Sequence, residues 1–164
     1  NGLRLVDTPG LGSVHEHGTR TALDWLPRVG AAIVAISVEH PLAYDDLELI
    51  RDLQPHTPEI VLLLTKADLT DETRLKGIIH FTQDQIRRRL GGKVPPIFPY
   101  STRLGYEALN GPFLEYLRQR ISGQHQVQAR AILNHKIESL RRACLDYIRL
   151  ALRSARISPV SRLT

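Results

Sequence analysis

The sequence predicts an α/β protein: a mostly parallel sheet with helices on both faces, followed by one long separate helix. Three observations carry this. Two uninterrupted apolar runs, residues 31–38 and 60–64, are each followed by a segment with helical apolar spacing, and runs of that length suit parallel strands covered on both faces. Three strand-like segments end in short polar loops, which places those loops at one edge of the sheet. Beyond residue 124 the apolar positions switch to alternating steps of four and three, the spacing of a heptad stripe.

Residues 3–7 alternate apolar and polar side chains and then break at Thr8-Pro9-Gly10. They read as a strand that delivers Asp7 into a tight loop at its carboxyl end. An aspartate there can hold Mg²⁺ through water, and the N–H of Gly10, with no side chain in the way, can approach a terminal phosphate. Alone, Asp-x-x-Gly is equally an ordinary strand-to-turn junction. Residues 12–18 are polar and glycine-rich, and His15 and His17 find no third ligand at metal-binding spacing, so they read as loop residues. Thr19 caps a helix carrying Leu23 and Leu26, limited by Pro27 and Gly30, with Trp25 packed against it.

Residues 31–38 read as a central parallel strand. In residues 44–53 the apolar Leu47, Ile50 and Leu53 share a helical face behind an acidic first turn. The next strand runs into Thr65-Lys66-Ala67-Asp68. Asp71 and Glu72 then open a helix with Leu75, Ile79, Ile86 and Leu90 on one face. Arg87, Arg88 and Arg89 match its dipole, and Gly91-Gly92 end it. A short strand within residues 95–100 delivers Ser101-Thr102-Arg103, and a helix over residues 113–121, begun by Pro112, presents Leu114, Leu117 and Ile121. Strand and helix thus alternate four times.

Composition sets the class. The 164 residues, 42% hydrophobic and 24% charged, are those of an ordinary globular domain with a sizeable core. No apolar run is long enough to span a bilayer, so membrane contact is expected to be peripheral. The single Cys144 leaves no internal disulfide framework and fits a reducing, cytoplasmic compartment. The chain begins at Asn1 and has no methionine, which reads as an internal piece of a longer polypeptide. Residues 1–124 hold 14 Lys+Arg against 15 Asp+Glu, and residues 125–164 hold 8 against 2, so the net charge of +5 is concentrated in the last helix. Leu133, Ile137, Leu140, Cys144, Tyr147 and Ala151 form its stripe, predicting one helix of roughly 28 residues, about 40 Å, stopped at Ser158-Pro159. A stripe of that length calls for partner helices beyond this chain.

Taken jointly and in this order, Asp7-Thr8-Pro9-Gly10, Thr65-Lys66-Ala67-Asp68 and Ser101-Thr102 resemble the third, fourth and fifth motifs of GTP-binding proteins. The chemistry of the second is specific. A carboxylate at Asp68 can accept both the N1 and the 2-amino protons of guanine, donors that adenine lacks. In that resemblance the Lys66 stem lies over the base, and the backbone at Ser101 and Thr102 meets the guanine oxygen. The blander reading makes Asp68 the cap of the next helix.

Within that superfamily the chain resembles dynamin-type GTPases, and bacterial dynamin-like proteins in particular. The likeness rests on residues 6–13 followed by a histidine-containing loop, Thr rather than Asn at position 65, Pro41-Leu42 leading into an acidic helix, and the basic heptad helix after the domain. It implies a partial GTPase domain over residues 1–124 and the first helix of a helical bundle over residues 125–164. It also implies GTP or GDP with Mg²⁺ at the site, self-association through the GTPase domain, and membrane remodelling by the intact protein. Leu11 stands where Ras-like proteins place a water-orienting glutamine. No Gly-x-x-x-x-Gly-Lys-Ser/Thr occurs, so the phosphate cradle is expected upstream, and the chain by itself is not expected to hydrolyse GTP. A ribosome- or RNA-assembly GTPase is the alternative enzyme, although the tail offers only Tyr147 as a stacking face, which makes a nucleic-acid partner unlikely. A scaffold without catalysis is the other alternative.

Overall fold

The computed structural model describes residues 5–8, 29–122 and 125–157. Its sheet has three parallel strands in the order β1-β2-β3, where β1 is Ala31–Ser37, β2 is Glu59–Thr65 and β3 is Ile97–Pro99. Between them run α1 (Tyr44–Leu53), a 3₁₀ turn (Ala67–Leu69) and α2 (Glu72–Arg89). After β3 come α3 (Glu107–Leu117), a π-helical turn (Arg118–Ser122) and α4 (His125–Ile157). The register pairs Ala31 with Glu59 and Ser37 with Thr65, so β1 and β2 start and stop level. The buried Thr57 hydroxyl fastens the entry end by donating to Gly30 O at 3.0 Å. Because all three strands run the same way, everything that follows them leaves from one edge.

The core lies between the sheet and the first two helices. Val34 and Ile36 of β1, Leu62 and Leu64 of β2, Leu47, Ile50 and Leu53 of α1, and Leu75 and Ile86 of α2 form one buried cluster. A side chain of this size stabilises by about 1.5–3 kcal/mol when fully buried. Asp71 caps α2 by accepting from the Arg74 N–H at 2.8 Å, and Gly91 and Gly92, at φ +66° and +71°, release the chain from it. The three expected faces of α1, β2 and α2 are therefore present. Thr82, wholly buried in α2, is one that apolar periodicity passes over; its hydroxyl donates to Ile78 O at 2.8 Å and so hides its polarity within the helix.

Several expectations are corrected. Residues 5–8 form no strand: Leu5 is 75% exposed, and with no ladder partner among the described residues alternation alone does not make a strand. Among the described residues β1 stands at the edge of the sheet, with Ile33 and Ala35 exposed and Val34 and Ile36 buried, while β2, buried at Ile60, Val61 and Leu62, is the middle strand of the three. The last sheet-packed helix begins at Glu107, so Pro112 lies inside it rather than at its first position. A proline one turn in forfeits only the bond to the residue four before it, and Glu107 accepts from the Gly105 N–H at 3.1 Å to secure the start. Its inward face is Phe113 and Tyr116, whose rings pack at a tilt against Phe98, with Phe113 also edge-on to Tyr100; Leu114 is exposed. The burial of Ile121 and the expected helix and histidine loop within residues 9–28 lie outside the described residues.

α4 is longer than the stripe predicts, at 33 residues, about 50 Å. Its first third rests on the sheet domain. Ile132 packs so closely over Gly30 that a Cβ there would sit 2.7 Å from Ile132 Cδ1, and His135 Nε2 lies 3.1 Å from Gln54 O. Beyond that the helix stands clear, with Leu140, Cys144, Tyr147 and Ala151 all exposed.

Candidate functional site

Two strand ends build the site. At the end of β2 the Thr65 hydroxyl donates to Ile36 O at 3.2 Å and Thr65 O accepts from the Val38 N–H at 3.1 Å, which ties the loop to β1. Lys66 then takes a left-handed φ of 58°, unusual for a residue with a Cβ, and the chain turns sharply into the 3₁₀ segment that holds Asp68. At the end of β3 the Tyr100 N–H donates to Leu64 O at 2.8 Å and Tyr100 O accepts from the Ala67 N–H at 3.1 Å. These bonds set the two loops side by side.

Asp68 and Ser101, 33 positions apart, meet there. The buried Ser101 hydroxyl donates to Asp68 Oδ1 at 2.5 Å and accepts from the Arg103 N–H at 3.0 Å. The other carboxylate oxygen, Oδ2, lies 3.9 Å from the Arg103 guanidinium, and the Asp68 side chain is 10% exposed. Asp71, not Asp68, caps the following helix, so the cap reading of Asp68 does not hold. The Lys66 ammonium pairs with the Glu39 carboxylate at the end of β1. That hydrogen bond and charge hold the Glu39 carboxyl below the usual carboxylate range. A cleft of about 380 Å³ opens on this edge, and Leu63, Lys66, Asp68, Tyr100, Thr102 and Arg103 line it.

The cleft sets the side chains of Leu63, Leu69 and Tyr100 beside one carboxylate and a stretch of loop backbone, a combination that suits a planar base with several donors on one edge. The Ser101 N–H is already committed to Asn110 Oδ1 at 2.9 Å. Among the described residues the Thr102 N–H has no such acceptor and is the loop donor left for a base carbonyl. Thr65, Lys66, Asp68, Ser101 and Thr102 are thus brought together. Asp7 and Thr8 are exposed and line no part of this cleft, and Pro9 and Gly10 lie outside the described residues. Asn110, Glu39 and Arg103 are partners that motif reading misses. Asn110 was detectable in principle as a poor helix former placed beside Gly111 and Pro112.

A Mg²⁺ that keeps its waters and takes oxygens from bound phosphates needs only one or two protein carboxylates. The exposed Asp7 carboxylate is chemically suited to that part. Among the described residues no group of three or more His, Cys, Asp or Glu side chains converges as a metal cage.

No protein-family model matches the chain. In sequence it is similar to an uncharacterised protein of the xynA 3′ region of Caldicellulosiruptor sp. strain Rt8B.4, 27% identical over 103 residues, covering 63% of this chain and 26% of that one. It is also 26% identical over 107 residues to a probable transmembrane GTPase, FZO-like and chloroplastic, of Arabidopsis thaliana, covering 65% of this chain and 12% of that one. Two solved structures of an oligomerised bacterial dynamin pair, described for long-range sensing and tethering of membranes, share its fold with TM-scores of 0.60 and 0.59. Both are 18% identical and cover 94% of this chain and 26% of theirs. The chain therefore spans about a quarter or less of the length of these relatives.

Proposed function

We propose that this chain, whose fold is that of bacterial dynamin-type GTPases, forms the guanine-reading edge of a dynamin-like protein that binds and hydrolyses GTP. The observation that carries the reading is the hydrogen bond joining Asp68 to Ser101 across the cleft. It holds one carboxylate oxygen while leaving lone pairs on both oxygens for donors, and guanine offers two donors in a row. Lys66, released from Glu39, would extend its stem along the base. Thr102 would donate its N–H to the guanine oxygen, and Asp7, with Gly10, would serve the Mg²⁺ and terminal phosphate. Adenine, with an acceptor at N1, meets the same carboxylate unfavourably.

α4 is the proposed first helix of a bundle over residues 125–164 that couples nucleotide-dependent self-association of the GTPase domain to membrane remodelling. Among the described residues no helix is long and apolar enough to cross a membrane, so the lipid contact proposed for this part is peripheral, on the cytoplasmic face. Regular four-three spacing with small Cys144 and Ala151, and no Trp or Phe on the stripe, suits helix packing better than a lipid surface.

Competition binding to the full-length protein tests the base assignment. GTP is expected to bind much more tightly than ATP. Asp68→Asn should weaken guanine binding by about 100-fold or more, because two hydrogen bonds to a charged group are lost, and should favour xanthine nucleotides, whose C2 oxygen accepts. Equal affinity for GTP and ATP in the unaltered protein would overturn the reading.

A further inference from the structure

We infer that Asn110 is a positioning residue for base recognition, clamping the Ser101 backbone from both sides and thereby aiming the Ser101 hydroxyl at Asp68. The inference deepens the guanine-reading proposal and rests on it. Asn110 Oδ1 accepts from the Ser101 N–H at 2.9 Å, and Asn110 Nδ2 donates to Ser101 O at 2.7 Å. The orientation of the amide is settled by its partners, since its oxygen faces a donor and its nitrogen an acceptor.

Ser101 is 2% exposed, so with Asn110 in place its backbone is satisfied by this amide and not by bulk water. With the backbone pinned, the hydroxyl has one arrangement: the Arg103 N–H occupies its oxygen at 3.0 Å, and its proton goes to Asp68 Oδ1 at 2.5 Å. Asp68 is held ready before any base arrives, and orientation fixed in advance is affinity not lost on binding. The local sequence offers no other reason for this residue. Asn110, Gly111 and Pro112 are three poor helix formers in succession inside α3, and a local preference overridden in this way points to a tertiary task.

The test is the ratio of GDP to ADP affinity in the full-length protein, by displacement of a fluorescent guanine nucleotide. Asn110→Ala should lower GDP affinity about five- to tenfold, the size of one net hydrogen bond, and leave the weak ADP affinity unchanged. Ser101→Ala should lower the ratio similarly, and the double variant should fall short of the product of the two, because both cut one chain of contacts. If the alanine variant does not fold, the near-isosteric Asn110→Asp keeps the acceptor for the Ser101 N–H and should lose part of the same ratio. A folded variant at position 110 with the full GDP preference, whatever its thermal midpoint, would overturn the inference alone, as would additive effects. A wild type without guanine preference would overturn the reading beneath it as well.

Discussion

The cleft edge and α4 are held together in opposite ways. At the edge, residues 33 and 9 positions apart in sequence bond to one another, the Asp68 carboxylate to the Ser101 hydroxyl and the Asn110 amide to the Ser101 backbone, and Ser101 is buried. Along the free part of α4 the ion pairs span a single turn: Arg141 and Arg142 with Glu138, and Arg149 with Asp146. The two arginines hold the Glu138 carboxyl well below the usual range, at about 2, yet the pairs are exposed and leave the apolar stripe uncovered. The edge is an assembled device whose parts depend on each other; the free part of α4 is a rod tied by single-turn ion pairs, with its apolar stripe exposed.

The largest expected effect probes the rod. In the full-length protein, Ile137→Asp combined with Leu140→Asp should lower stability by several kcal/mol, as charge does at packed positions, and thermal denaturation would show it. Both residues are more than half exposed in this chain, so any large loss measures what covers them elsewhere. An unchanged midpoint with loss of liposome binding would turn the stripe into a membrane face and break the comparison.

A smaller effect probes how the assembled region resists alkali. The Tyr116 hydroxyl on α3 donates to the Glu59 carboxylate at the start of β2. Burial first, then that bond and charge, push its pKa up from 10.0 to about 12. The folded state therefore keeps this proton longer than the unfolded chain does. The contribution is fully present below pH 10 and fades as pH rises through 12, and it amounts to about 1 kcal/mol once solvent screening at this half-buried site is allowed for. Thermal midpoints between pH 9 and 12 should fall less steeply in Tyr116→Phe; equal slopes would remove the pair from the account.

The smallest effect belongs to the Lys66–Glu39 pair, exposed on both sides although it spans 27 positions. Glu39→Gln should change stability by less than about 0.5 kcal/mol. A loss of more than 1 kcal/mol in urea unfolding would mean that sequence separation alone makes a contact strong, whereas the comparison assigns that strength to burial.

What the sequence determined by itself is what local periodicity and capping can express. The apolar runs of β1 and β2, the α1 face through Leu47, Ile50 and Leu53, the Gly91-Gly92 stop and the α4 stripe were all legible, because each depends on neighbours within a turn or a strand. The polar tetrads were legible as candidates, since a residue type such as Asp68 carries its chemistry wherever it lies. Tertiary structure alone decided which of the described strands lies in the middle, that residues 5–8 stay outside the described ladder, that α3 turns Phe113 and Tyr116 inward, and that Asn110 grips Ser101. The reason is physical: strand order, helix facing and a hydrogen bond between distant residues exist only after chain segments have been brought together, and no local preference records which partner each will meet.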